Sequence, residues 1–276
     1  MILVTGGTGT TGRLVARGLE RRGHRVRTAA RHGADVRFDW YDPSTHPAAS
    51  RGAQALYLIA PIGLLDPTPV VLPFLELARR TGVRRAVLLS SSAIPPGGHG
   101  AGLVQARLGE VFPEWAVLRP SWFMENFVGD HPHARSVRDR GEIVSATGTG
   151  RVGFVDPVDI AEVAVRALTD PVPHNTGHIL TGPEALSFAD VAATLGEATG
   201  RPVRHRPVDE GELAGLLRAT GLPDDFARFL AGLDAAIARG AEDRTTSTVG
   251  DVTGRGPRTF RDFCRSRALP YRDRDA

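Results

Sequence analysis

The stretch Met1-Ile2-Leu3-Val4-Thr5-Gly6-Gly7-Thr8-Gly9-Thr10-Thr11-Gly12 decides the fold. A short apolar run meets glycines spaced G-x-x-G-x-x-G. An Arg/Leu/Val/Ala-rich segment from Arg13 to Arg22, closed by Gly23, follows. The apolar run is too short for anything but a buried strand, and the segment after the glycines reads as a helix. Strand, glycine turn and helix in that order make the phosphate-gripping part of a dinucleotide site. The first glycine permits a tight turn, the next lets backbone approach a pyrophosphate, and the last lets helix pack closely on strand. The helix N-terminus turns its unbonded N–H groups toward the phosphates. Gly6, Thr8, Gly9, Thr10, Thr11 and Gly12 are therefore candidate cofactor-binding residues.

Downstream, strand and helix signals alternate. Arg25–Ala29, Val36–Phe38, Ala55–Ala60, Ala86–Ser91 and Trp115–Leu118 read as strands. Arg13–Arg22, Pro69–Thr81 and Gly102–Phe112 read as helices between them. Near-continuous apolar strands alternating with helices predict an α/β fold with a Rossmann, doubly wound parallel sheet, and right-handed crossovers put helices on both faces. Past Pro120 the rhythm changes. Glu142–Ala146, Val152–Val155 and His178–Thr181 read as short strands, Asp156-Pro157 starts a helix over Val158–Leu168, and Ser187-Phe188-Ala189-Asp190 opens another. From Asp209 the pattern is helical, ending in the basic segment Arg258–Arg267. The chain divides into a Rossmann core over 1–182, with 121–160 contributing to a substrate cleft, and a smaller, partly interleaved, mostly helical C-terminal α/β lobe over 183–276. The cleft is expected where the strand C-termini meet that lobe.

Composition narrows the class. The chain has 276 residues, 24% of them charged and 41% hydrophobic, which is ordinary for a water-soluble domain. No apolar stretch is long enough to span a membrane, and the N-terminus is a strand rather than a leader peptide, so a cytoplasmic protein is expected. One cysteine, Cys264, excludes an internal disulfide and a cysteine-rich metal site. All 34 basic Lys+Arg residues are arginine, which with abundant Ala and Gly points to a GC-rich bacterial source. Net charge is only +3 and the arginines are spread along the chain, so no nucleic-acid partner is indicated. Without lysine no Schiff base forms, and no lysine lowers the pKa of a tyrosine. The helices after Asp209 pack on their own core or on a second subunit of a homodimer, and their pattern does not decide.

The segment after the second strand selects the dinucleotide. An NAD site carries Asp or Glu there to hold the ribose 2′-hydroxyl. Val26-Arg27-Thr28-Ala29-Ala30-Arg31-His32 has no carboxylate, and Arg31 stands where a 2′-phosphate would lie. A guanidinium binds phosphate in a bidentate way, so the cofactor expected is NADPH/NADP+, with Arg13 as a helper. Phe38-Asp39 is placed to flank the adenine. Ala60-Pro61 is placed under the nicotinamide half, and Ser90 and Pro120, closing the fifth and sixth strands, are counted with the cofactor contacts.

The chemistry is lean. Orthodox short-chain dehydrogenases use a tyrosine and, four residues later, a lysine. Here the tyrosines are Tyr41, Tyr57 and Tyr271, and there is no lysine. Ser92 ends the run Ala86–Ala93 and is a candidate catalytic hydroxyl. Gln105 is a second candidate, on the helix position facing the nicotinamide, though glutamine is no proton donor of useful acidity. His99 stands on a loop able to close over the site. An enzyme with so little acid–base equipment suits an already polarised acceptor, with the cofactor supplying hydride and the protein orientation. Trp122, Phe123, Met124 and Phe127 offer either an apolar wall for a flat, hydrophobic small-molecule substrate or a plug for the core between the lobes, and Glu125 or Asp156 either a counter-charge for a substrate cation or a cap or ion-pair partner.

With Thr5–Gly12, Leu88–Ala93 and Leu118-Arg119-Pro120-Ser121-Trp122-Phe123-Met124-Glu125-Asn126-Phe127 in view, the chain resembles the NmrA-like atypical short-chain dehydrogenases/reductases. Within them it looks most like the bacterial relatives of the ergot-alkaloid biosynthesis reductases, the festuclavine synthase/agroclavine dehydrogenase group. Gly148–Asp159 and Thr181–Ser187 fit the same pattern, so the resemblance spans nearly the whole chain. It implies an NADPH-dependent reductase, in secondary metabolism, of an iminium, quinone or enone-like acceptor. Two other functions stay open on the same fold: a non-catalytic NAD(P)-binding redox sensor, and a redox-silent cyclase or isomerase.

Overall fold

The computed structural model describes residues 1–267. Tyr271 lies outside the described residues. In chain order the elements are β1 (Ile2–Thr5), α1 (Gly12–Glu20), β2 (Val26–Ala30), β3 (Val36–Arg37), α2 (His46–Ser50), β4 (Ala55–Ile59), α3 (Thr68–Arg80), β5 (Arg85–Leu89), α4 (Ala101–Val111) and β6 (Glu114–Pro120). There follow α5 (Pro132–Arg140), β7 (Glu142–Ser145), β8 (Arg151–Val152), α6 (Pro157–Thr169), β9 (Thr176–Leu180), β10 (Leu186–Ser187) and α7 (Phe188–Thr199). The chain continues with β11 (Arg204–Pro207), α8 (Glu210–Ala219), α9 (Asp224–Ala238), α10 (Thr248–Thr253) and α11 (Phe260–Ser266).

These elements form two compact units, each discontinuous in sequence. The first is Met1–Pro120, Pro157–Leu180 and Asp251–Gly254. It holds a seven-stranded sheet in the order β3-β2-β1-β4-β5-β6-β9, every pair parallel. Parallel neighbours need long crossovers, and helices supply most of them here. Leu3, Leu56, Leu58, Leu88 and Val117, on successive central strands, are fully buried and pack with Phe74 of α3 and Leu108 of α4. Val4, Tyr57, Val87 and Leu118, which alternate with them, are fully buried too, and burial on both faces is why the central strands read as unbroken apolar runs.

The second unit is, among the described residues, Ser121–Asp156, Thr181–Gly250 and the stretch from Arg255 to Arg267. Residues 121–156, counted from sequence with the Rossmann core, fold here, whereas 157–180 belongs to the large sheet, where β9 pairs with β6. The unit has two small sheets, β7 parallel to β11 and β8 antiparallel to β10. Its core is a cluster of phenylalanines: Phe127 lies edge-on to Phe154, Phe188 and Phe260, with ring centroids 5.6, 6.1 and 5.6 Å away. The capping box at the start of α7 forms as the sequence predicts. Ser187 Oγ accepts from Asp190 N at 3.1 Å and Asp190 Oδ2 accepts from Ser187 N at 3.0 Å.

Three local differences have physical reasons. The strand read over Val152–Val155 stops at Val152, because Phe154 N turns back to the Val152 carbonyl at 3.0 Å. β11, Arg-His-Arg-Pro, carries no apolar pattern and gains its strand from pairing with β7, where Arg204 meets Glu142 across the ladder. The polar α5 is set by Pro132 at its first turn and closed by Gly141 in the left-handed conformation. Among the described residues no helix is long and apolar enough to cross a membrane.

Candidate cofactor and substrate sites

The glycine turn is built around contacts that admit no side chain. Gly6 sits at φ +62°, which a glycine adopts without strain. A Cβ on Gly7 would lie 2.6 Å from Thr28 Cβ, and one on Gly12 would lie 2.2 Å from the Gly6 carbonyl oxygen. Gly7 therefore seats the turn on β2, and Gly12 seats α1 on the turn. Gly9 differs: a Cβ there would approach only the Gly6 carbonyl oxygen, at 3.2 Å, and the residue is exposed. Its bareness keeps the outer face of the turn open rather than the inner face packed. The backbone N–H groups of Thr8, Thr10, Thr11 and Gly12 find no acceptor among the described residues. A set of unbonded amides at the N-terminus of a nine-residue helix is what a pyrophosphate requires, so the residues present fit a dinucleotide.

Arg31 follows β2 as an exposed guanidinium with no carboxylate partner among the described residues. Its loop lies against the glycine turn, with the Cβ position of Gly33 3.7 Å from Thr8 Cγ2. Arg13 starts α1, also exposed. Asp35, which no sequence pattern singles out, closes this loop. Its Oδ2 accepts from Thr28 N and Thr28 Oγ1, both at 2.8 Å, and these bonds hold its carboxyl below the ordinary range. Asp39, expected beside the adenine, organises its own turn: Oδ1 accepts from Tyr41 N at 3.0 Å, and its carbonyl meets His46 Nε2 at 2.9 Å.

At the carboxyl ends of β4, β5 and β6 the remaining first-unit residues gather. Ala60 and Pro61 are half-buried after β4, and the loop they begin is tied to the loop after β5 through Gly100 N and the Leu65 carbonyl, 2.7 Å apart. His99 is exposed on that second loop and, after the stronger effect of the Thr68 hydroxyl, helps hold the Asp66 carboxyl low. Ser90 N donates to the Leu118 carbonyl at 2.7 Å and Ser92 N to that of Pro120 at 2.9 Å, which binds the serine run to the end of β6. Arg119 secures it from behind, donating to the carbonyls of Ser91 and Ser92 at 3.4 and 3.1 Å. The Ser90 hydroxyl is buried with no hydrogen-bond partner, as is Oε1 of Gln105. The Gln105 amide lies over the sheet edge, with Nε2 4.0 Å from the Cβ position of Gly177 on β9. Tyr57, fully buried in β4, has its phenol pushed upward by burial and takes no part.

The expected substrate wall lies in the second unit and divides in two. Met124 and Phe127 are buried core, Phe127 stacked on His133 at 5.6 Å. Trp122 and Phe123 keep partial exposure, and Phe123 is anchored by a bridge to Val155. Those two retain a surface for a ligand. The carboxylates suggested for a substrate cation are already engaged by arginines: Glu125 by Arg267 at 2.8 Å, and buried Asp156 by Arg258 at 2.9 Å.

No family model matches the chain. Individual proteins do. The oxidoreductase YesF of Bacillus subtilis is 48% identical over 97% of this chain and 95% of its own. Agroclavine dehydrogenase of Claviceps fusiformis is 39% identical over 95% of each. The chain belongs to the oxidoreductase family of YesF, the agroclavine dehydrogenases and the festuclavine synthases. As a member it is an NAD(P)H-dependent oxidoreductase. Among solved structures, the triphenylmethane reductase of a Citrobacter species, complexed with NADP(H), superposes with a TM-score of 0.77 at 25% identity, over 96% of this chain and 99% of that one.

Proposed function

We propose that the protein is an NADPH-preferring reductase that passes hydride to a small, polarised, hydrophobic organic acceptor of the iminium, quinone or enone type, without a tyrosine–lysine proton relay. One observation carries the reading: an exposed Arg31 with no carboxylate partner among the described residues, beside a glycine turn in which the amides of Thr8, Thr10, Thr11 and Gly12 are unbonded. Asp35, in the same loop, has its Oδ2 engaged by Thr28. When bound, the cofactor supplies a hydride and a nicotinamide plane for the acceptor to lie against.

The chain's own residues do the rest. The backbone N–H groups of Thr8, Thr10, Thr11 and Gly12 would hold the pyrophosphate at the positive end of α1. Arg31 binds the 2′-phosphate by a charge-assisted, two-pronged contact. Arg119 and the carbonyl-bonded Ser90–Ser92 run stiffen the end of β5, so that the Ser92 hydroxyl is offered at a fixed position to a developing negative charge on the acceptor. Trp122 and Phe123 present flat apolar surface. An acceptor that is cationic or strongly polarised beforehand needs orientation more than proton donation, which agrees with a chain that has no lysine. The likeness to an agroclavine dehydrogenase and to a triphenylmethane reductase supports an organic acceptor.

The test is an acceptor screen. Purified protein is mixed with NADPH and a panel of iminium, quinone, enone and triarylmethane compounds, and cofactor oxidation is matched to reduced product. At least one class is expected to be reduced one-to-one with cofactor. Tight cofactor binding with no acceptor turned over would move the protein to the redox-sensor function instead.

A further inference from the structure

The loop that carries Arg31 is held by very little ladder. β3 pairs with β2 at only two positions, Ala29 with Val36 and Ala30 with Arg37. Five residues, 31–35, span the gap, with Gly33 at φ +69°. What closes the loop is a reciprocal bracket of side chain and backbone. Asp35 Oδ2 accepts from both Thr28 N and Thr28 Oγ1 at 2.8 Å, and Thr28 Oγ1 accepts from Asp35 N at 3.0 Å. The same Thr28 supports the glycine turn, since any Cβ on Gly7 would collide with Thr28 Cβ at 2.6 Å and sit 3.2 Å from its Cα. At the loop tip the Gly33 Cβ position touches Thr8 at 3.7 Å. One threonine thus joins the pyrophosphate turn to the arginine loop.

We propose that Asp35 and Thr28 are positioning residues for NADPH selection: their bracket holds the Arg31 loop in register with the glycine turn, so that the guanidinium meets the 2′-phosphate of a cofactor whose pyrophosphate the turn already grips. The inference rests on the assignment of Arg31 to the 2′-phosphate. A bound dinucleotide has a fixed span between its two phosphate sites, so a loop free to wander would lose affinity to ordering entropy. The carboxylate acts through charge-assisted hydrogen bonds, which the neutral amide of an asparagine makes more weakly. Asp35 stays ionised, with its Oδ2 held on Thr28 by two donors.

Three single variants of the full chain, Arg31→Ala, Thr28→Val and Asp35→Asn, with Thr28→Ser as the conservative rescue, separate the possibilities. Dissociation constants for NADPH and for NADH are measured by titration, with melting temperature as the check on folding. Thr28→Val keeps the shape against Gly7 and deletes the hydroxyl; Asp35→Asn keeps the size and deletes the charge. Each is expected to weaken NADPH about tenfold while NADH stays within about twofold, and Thr28→Ser to retain the preference. Equal loss for both cofactors would make the bracket merely structural and overturn the inference. Tighter NADPH binding in Asp35→Asn would show that charge repulsion governs, and would overturn it as well. If Arg31→Ala loses the preference while Thr28→Val and Asp35→Asn keep it, the bracket fails and the 2′-phosphate assignment stands. If Arg31→Ala keeps the preference, that assignment fails first.

Discussion

The three outer glycines of the first turn have different duties, and substitution separates them. Gly12→Ala drives a methyl into the Gly6 carbonyl, 2.2 Å away, and neither backbone is free to yield. The expected cost is about 1–3 kcal/mol of stability together with loss of cofactor binding, read by denaturant unfolding and by NADPH titration. Gly9→Ala meets only one oxygen at 3.2 Å, so stability stays within about 1 kcal/mol while NADPH weakens by about tenfold or more, because the methyl stands where the pyrophosphate approaches. Similar losses in both assays for both variants would contradict the division. These duties were legible from spacing alone. The seat of Gly7 on Thr28 was not, because it depends on which residue of β2 lies opposite, and register is fixed only by the folded sheet. Asp35 escaped notice for the same reason: it lies seven residues from Thr28 in sequence and within hydrogen-bond reach in space.

At the scale of elements, the second unit carries a pH dependence in α5. Burial holds the His131 ring down at about 4 and the His133 ring at about 3, the latter helped by the neighbouring His131 and His205. In the unfolded chain both titrate near 6.5. Their folded values are depressed, so their contribution is fully present above about pH 6.5. It is lost as pH falls toward 4, where the unfolded chain takes up protons that the fold refuses. Each ring removes up to about 1.4 kcal/mol per pH unit in that window. Asp234, raised by burial to about 6, acts in the opposite sense, favouring the fold where it is protonated. Denaturant midpoints measured from pH 7 to pH 4.5 should therefore fall steadily, and His133→Phe should flatten the slope; a flat wild-type profile would contradict this. The Ser187 cap of α7 offers a simpler check. Ser187→Ala removes the hydroxyl that accepts from Asp190 N and should cost about 1 kcal/mol in unfolding, whereas no measurable loss would show the cap idle. Capped and amphipathic helices such as α7 were readable because their signals are local. α5 and β11 were not, being polar segments that take their form from partners distant in sequence.

For the whole molecule, the large parallel sheet follows from alternation and apolar runs, since the central strands β1, β4 and β5 are almost wholly buried. The division of the chain does not follow from sequence order. Residues 121–156 leave the first unit and 157–180 return to it, because the partner of β6 in the sheet is β9 rather than any strand between them. The same interleaving explains why the substrate wall was only half legible. Four large apolar residues within six positions look alike in sequence, and only the packing of the phenylalanine cluster shows that Met124 and Phe127 are interior while Trp122 and Phe123 are partly exposed. The cofactor half was read more fully because a dinucleotide turn is made by contiguous residues. The central claim concerns both halves: hydride leaves NADPH, selected by Arg31, for a polarised acceptor. The most direct measurement is kcat/KM for NADPH and for NADH with one acceptor found in the screen, in wild-type protein and in Arg31→Ala. The account predicts a wild-type preference for NADPH of about tenfold or more that collapses toward unity in the variant, through the KM for NADPH and with kcat little changed. Equal use of the two cofactors by the wild type, or a preference that survives Arg31→Ala, would contradict it.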